Sequence, residues 1–161
     1  MKEYLKHHEW KIIEEGLNPH YNMVSESVFS IGNGRMGQRA NFEEEYSGET
    51  LRGSHVAGVY YPDKTRVGWW KNGYPEYFAK VLNAPNWIGI RVTIDNHKLD
   101  LAKCKVENFR RELDMKVGLL SRSFTATLPD GKILRVDSKR FCSMARGEVG
   151  AIRYAITPVN F

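Results

Sequence analysis

The chain has 161 residues, is 42% hydrophobic and 27% charged, and carries a formal net charge of +5. That length fits one domain of ordinary size, and that balance describes a folded chain rather than a disordered one. No run approaches the roughly 18 apolar residues of a membrane helix, and the N-terminal MKEYLKHHEWKIIEEG lacks the apolar stretch of a signal peptide, so a cytoplasmic location is expected.

The basic residues are spread along the chain, and the densest run, Arg110-Arg111, is followed at once by Glu112 and Asp114. This describes a solvated mixed-charge surface and argues for neither a nucleic-acid nor a membrane partner. Cys104 and Cys142 are too few for a disulfide framework and sit in no CxxC or Cys-plus-His cluster, so both are expected as free thiols. His7-His8, His20, His55 and His97 show no ligand spacing, and no metal is expected.

In chain order, Glu14-Glu15 comes first and Glu43-Glu44-Glu45 follows. Carboxylate pairs serve glycoside chemistry when they face each other across a bond, but adjacent acids in a polar stretch are expected to be exposed. Between them, Gly32-Asn33-Gly34-Arg35-Met36-Gly37 matches GxGxxG. A strand at 27–31 is expected to precede it, but no apolar stripe of helical period follows, so the glycines are expected to serve tight β-turns rather than a nucleotide. Val67 to Trp87 then holds three of the four tryptophans together with Tyr74, Tyr77 and Phe78, broken by prolines, glycines and asparagines. Such rings either fill a core or are presented on a shaped loop to a flat ligand such as a sugar.

The second half alternates as strands do. Ile88, Ile90, Val92 and Ile94 would share one face, with a turn at Asp95-Asn96-His97 and a returning strand over 98–101. The best helix candidate is Val106 to Met115, with weak apolar spacing. Phe124, Ala126 and Leu128 alternate up to Pro129-Asp130-Gly131, and Leu134 and Val136 alternate after it, which describes a hairpin. Ile152, Tyr154 and Ile156 form a last strand, with no visible finish to the sheet. The fold class expected is all-β: an antiparallel β-sandwich, supersandwich-like, truncated, with little helix. The whole chain, 1–161, reads as a single domain, the front part of something longer.

Several segments together resemble one family: Glu26-Ser-Val-Phe-Ser-Ile-Gly-Asn-Gly-Arg-Met-Gly37, Ala57-Gly-Val-Tyr60, Leu82-Asn-Ala-Pro-Asn-Trp87, Arg111-Glu-Leu-Asp-Met-Lys-Val-Gly-Leu-Leu-Ser-Arg122 and Arg140-Phe141. The series is similar to the N-terminal domain of the family 65 glycoside hydrolases, the inverting phosphorylases of maltose, trehalose, kojibiose and nigerose with a few related hydrolases. One departure is Ala40, where the family often has glycine.

The resemblance implies a large N-terminal β-sandwich followed by a helical linker, an (α/α)6 barrel and a small C-terminal sheet. It places the general-acid glutamate and the phosphate-binding residues in the barrel, outside this chain, so no catalytic, cofactor-binding or metal-binding residue is expected here. The implied reaction is phosphorolysis of an α-linked glucose disaccharide. Inorganic phosphate is the co-substrate, β-glucose 1-phosphate the product, and no metal or organic cofactor is needed. The implied partner is the downstream catalytic domain, and a homodimer stays open. Loops of the sandwich pack on the barrel in this family, so Arg52, His55, Tyr60, Trp69, Trp70, Lys71 and Tyr74 are candidates for a substrate-pocket or interdomain loop. Trp87 and Phe78 are expected to anchor the fold. A free-standing carbohydrate-binding module is the alternative function, and a single-strand nucleic-acid binder ranks last.

Overall fold

In the computed structural model, residues 4–65 and 75–161 are described. Their strands are β1 Leu5–His8, β2 Lys11–Glu15, β3 Ile31–Gly32, β4 Met36–Gln38, β5 Ser54–Val56, β6 Tyr60–Lys64, β7 Tyr77–Val81, β8 Thr93–Ile94, β9 His97–Lys98, β10 Lys105–Asp114, β11 Leu119–Thr127, β12 Ile133–Cys142 and β13 Gly150–Pro158. A short 3-10 turn, Pro19–Tyr21, leads into helix α1, Asn22–Val28. The chain is thus all-β with little helix, as its alternation implies.

The main sheet runs β1-β2-β10-β11-β12-β13, antiparallel throughout. It contains the hairpin read from the sequence. β11 and β12 pair without a break from Leu120↔Arg140 to Thr127↔Ile133, and Gly131 closes the turn at φ +85. That backbone angle is open to glycine at no steric cost. The second layer lies over the inner face of this sheet. It comprises the small sheet β3-β4-β5 and the segments around 40–46 and 88–101.

Two apolar clusters join the layers. In one, Phe42, Tyr46, Leu99 and Leu101 pack against Phe109, Phe124, Leu134 and Val136. In the other, Phe29, Ile31 and Ala40 meet Leu113, Leu120 and Cys142. Between them the inner face of the sheet is polar. Arg111 stands opposite Arg122, Arg122 opposite Ser138, and Arg140 opposite Leu120, all buried. The core is therefore divided by a belt of charge.

Several expectations need correction. The helix candidate at 106–115 is strand β10, whose register shifts between Glu107 and Arg110, with Asn108 at φ 53. The shift is a β-bulge, which puts Val106 and Phe109 three residues apart on the same inner face. The expected strand at 27–31 begins inside α1. This helix turns its polar stripe, Asn22, Ser25 and Glu26, into the protein, while Val24 and Val28 face solvent. Of the strand expected at 88–94, only Thr93–Ile94 is paired. It pairs with His97–Lys98 across a turn whose central residues, Asp95 and Asn96, both have positive φ. The burial alternation at Ile88, Ile90 and Val92 nevertheless holds.

The glycine motif is a turn, as expected. β3 and β4 pair through Gly32↔Gly37. The Asn33 side chain accepts from the Arg35 and Met36 N–H groups, and Gly34 takes φ +84. No helix follows it.

Candidate functional site

The acids expected at the surface are mostly inside. Glu14, Glu43 and Glu44 are buried, and Glu15 and Glu45 are exposed. Arg122 Nη2 lies 2.5 Å from Glu43 Oε2 and 2.5 Å from Glu44 Oε2, while Arg140 Nη1 reaches Glu43 Oε1 at 2.8 Å. Tyr154 donates its hydroxyl to Glu44 at 2.6 Å. Further along the belt, Arg111 Nε sits 3.2 Å from the buried Glu14, which also accepts from Ser25. Burial alone would raise the Glu43 carboxyl, but Arg122 and Arg140 outweigh it and hold the group below the usual carboxylate value. A group so held is a poor proton donor near neutral pH. Burial pushes Glu14 up against the pull of Arg111, and lowers Arg111 to about 10. Burial likewise raises the Cys104 and Cys142 thiols, both of them free, above their ordinary value.

The outer side of the 41–46 segment is the floor of a cleft of about 640 Å³. Arg52, Asn83, Asn86, Arg91 and Lys98 stand on its walls. The backbone around Arg52 is tied to the buried side chains of Glu26, Asn41 and Gln38 and to the exposed Asn83. Glu26 accepts from the Leu51 N–H at 2.7 Å and from the Thr50 hydroxyl at 2.5 Å. Asn41 donates to the Leu51 carbonyl and accepts from the Gly53 N–H, both at 3.1 Å. Asn83 donates to the Arg52 carbonyl at 3.3 Å and accepts from the Ser54 N–H at 3.2 Å, and Gln38 donates to the Gly53 carbonyl at 2.9 Å. The Arg52 side chain itself is exposed and has no hydrogen bond or ion pair among the described residues. The result is a cation on a hydrogen-bonded loop, standing in solvent at the wall of the cleft.

The other candidates are placed differently. His55 lies on β5, half-buried, with its Nδ1 unbonded. Tyr60 begins β6 and is 58% exposed. Neither lines the Arg52 cleft. Trp69, Trp70, Lys71 and Tyr74 lie outside the described residues. Sequence reasoning missed the roles of Asn83 and Asn86, although both stand in the quoted segment 82–87, and it missed Glu26 and Asn41 as the groups that pin the loop. Among the described residues no group of three His, Cys, Asp or Glu side chains is placed to hold a metal ion, and no helix is long and apolar enough to cross a membrane.

Beyond the cleft, β6 and β7 form a two-stranded arm that, among the described residues, pairs with no other strand. Register puts Tyr60, Pro62, Lys64, Tyr77, Ala79 and Val81 on one face, and all are exposed. Phe78 is 45% exposed on this arm, so it does not anchor the core as expected. Trp87 does serve the fold: it packs, half-buried, on the second apolar cluster, and its ring leaves no room for a methyl on Gly150, which would sit 2.6 Å away.

Residues 12–161 match the family described as glycosyl hydrolase family 65, N-terminal domain. The chain is 51% identical over 146 residues to the maltose phosphorylase of Bacillus subtilis (strain 168), covering 91% of this chain and 19% of that protein. It is 33% identical over 153 residues to the kojibiose phosphorylase of Thermoanaerobacter brockii, covering 95% of this chain and 18% of that one. Among solved structures, a putative kojibiose phosphorylase from the human microbiome superposes with a TM-score of 0.86 at 33% identity, over 98% of this chain and 21% of that chain. The chain thus spans about a fifth of the length of the relatives it matches. It belongs to glycosyl hydrolase family 65, as an N-terminal domain of that family.

Proposed function

We propose that this chain is the non-catalytic N-terminal β-sandwich domain of an inverting α-glucoside phosphorylase of the maltose type. It packs on the catalytic barrel and shapes the entrance to its pocket. The observation that carries this reading is the pinned Arg52 loop together with the β6–β7 arm, which has no further strand partner among the described residues. A cation held on a fixed backbone is prepared for a partner at little entropic cost. An isolated hairpin with apolar groups in water is marginal unless something covers it. The buried acids of the belt are engaged by guanidinium groups, which leaves no free carboxylate pair across the cleft among the described residues.

In the parent reaction a protonated glutamate of the barrel would assist departure of the leaving sugar. Phosphate would attack the anomeric carbon from the opposite face, converting an α-linked glucoside to β-glucose 1-phosphate. The reading carries with it a cytoplasmic location, an α-linked glucose disaccharide and phosphate as ligands of the parent enzyme, and no metal or organic cofactor.

A chimera tests the reading. Residues 12–161 replace the matching part of the Bacillus subtilis maltose phosphorylase, and glucose 1-phosphate is followed with maltose and phosphate. The chimera is expected to be active and the 161-residue chain alone inactive on maltose, kojibiose, trehalose and nigerose. Arg52→Ala in the chimera is expected to raise KM for the disaccharide more than it lowers kcat. Activity of the chain alone, or an Arg52→Ala chimera indistinguishable from its parent, overturns the reading. The alternative, a free-standing carbohydrate-binding module, is less supported: among the described residues the cleft's rings, Phe42 and Tyr46, are buried and offer no stacking platform. It predicts saturable maltose binding by the isolated chain in calorimetry.

A further inference from the structure

Behind the cleft floor lies an internal cavity of about 10 Å³. Asn41, Glu43, Arg111, Arg122, Ser138 and Arg140 line it, and all are buried. Among the described residues, three nitrogens of these arginines have no hydrogen-bond acceptor: Arg111 Nε, Arg122 Nη1 and Arg140 Nε. A buried donor without a partner is costly, and more so when it carries charge. Arg111 Nε is the least needy of the three, because Glu14 Oε2 lies 3.2 Å away and serves its charge even without hydrogen-bond alignment. Two donors remain, Arg122 Nη1 and Arg140 Nε.

We propose that this cavity is a binding site for a single structural water, which accepts from Arg122 and Arg140 and donates to Glu43 and Ser138. The volume is that of about one water. A water oxygen has two lone pairs, which accept one N–H from each of the two remaining nitrogens, and its two protons find acceptors in the carboxylate and hydroxyl that share the cavity wall. An anion fits the site less well, because Arg111, Arg122 and Arg140 are already matched by Glu14, Glu43 and Glu44. The cavity and the cleft share the wall formed by Asn41 and Glu43, so the water stands directly behind the segment whose Asn41 pins the Arg52 loop.

The test is a crystal structure of the 161-residue chain at about 1.5 Å, collected with and without a bromide soak. The expected result is one peak at hydrogen-bonding distance, about 2.7–3.2 Å, from Arg122 Nη1 and Arg140 Nε, with no bromide signal. A bromide signal there makes the site an anion site and overturns the proposal, and so does an absence of density with the two nitrogens turned to protein acceptors. A pair of variants gives an independent reading. Ser138→Ala removes a hydroxyl and keeps the space, whereas Ser138→Val fills it and displaces the water. The Val variant is expected to melt lower than the Ala variant, and an equal or higher Tm overturns the proposal.

Discussion

Arg122 has two carboxylate partners, Glu43 and Glu44, and its guanidinium stacks 5.1 Å from the Phe42 ring and 5.0 Å from the Phe124 ring. Replacing it with methionine keeps the volume and removes the charge, leaving buried Glu44 with no cationic partner among the described residues and Glu43 with Arg140 alone. Breaking a buried ion pair in this way costs about 3–5 kcal/mol, so urea denaturation should show Arg122→Met losing a corresponding part of its midpoint. A variant as stable as the parent would mean that the belt contributes nothing to stability. The same belt sets an acid limit. The Glu43 carboxyl is held below its ordinary value of 4.5 in the folded state, burial notwithstanding, by Arg122 and Arg140. Its folded value is depressed, so the stability it contributes is present above pH 4.5 and lost as pH falls through the folded value. Glu43→Gln should therefore flatten the acid limb of a stability-against-pH curve, and an unchanged limb would assign acid unfolding to other carboxylates. At this scale the sequence was partly misleading. Adjacent acids read as surface because solvent is where unpaired carboxylates belong, and their partners Arg122 and Arg140 are some 80 to 100 residues away in the chain. Arg52 became a candidate only through family resemblance, since nothing local reveals that Glu26, Asn41 and Asn83 hold its backbone.

The elements divide by whether their inward faces are apolar. The β11–β12 hairpin was legible because Phe124, Ala126, Leu134 and Val136 alternate up to a turn with glycine at a positive φ. The reading stopped where Arg122, Ser138 and Arg140 took inward positions that pattern arguments assign to solvent. Helix α1 was missed for the same reason, its buried stripe being Asn22, Ser25 and Glu26. Strand β10 was read as a weak helix because its bulge shifts the alternation by one residue. Val106, Phe109 and Leu113 then recur at i, i+3 and i+7, which is helical spacing made by a strand. Asn108 sits in that bulge at φ 53, a conformation that asparagine and glycine tolerate and β-branched residues do not. Asn108→Gly should leave Tm close to the parent's, whereas Asn108→Val should cost about 1–2 kcal/mol. Equal thermal melts for the two variants would mean that the bulge does not require the left-handed conformation.

Taken as a whole, the molecule has one part that its own core does not explain. The two apolar clusters and the charge belt account for the main sheet and the layer over it, yet among the described residues β6 and β7 pair only with each other. On the arm's exposed face, Tyr60 stands opposite Val81 and Pro62 opposite Ala79, with Tyr77 beyond them. Pro62 lacks an N–H, which weakens that edge as a template for another strand and leaves the apolar face as the feature a partner would cover. The aromatic question raised by 67–87 thus has a structural answer in part: Trp87 belongs to the core, while Tyr77 and Phe78 do not. If the arm serves only the isolated domain, changing its face should lower the domain's stability. If it serves a contact with the catalytic part, the isolated domain should barely respond. The triple variant Tyr60→Ser, Tyr77→Ser, Val81→Ser separates these cases. Exposed positions typically change stability by no more than about 0.5 kcal/mol each, so the 161-residue chain should keep nearly its parent Tm. In the phosphorylase chimera, the same substitutions should lower the melting temperature and the phosphorolysis rate together, because a surface buried between domains loses its apolar contact. A chimera unaffected in both would assign the arm to a partner other than the barrel. A large Tm loss in the isolated chain would show that the arm belongs to the domain's own fold.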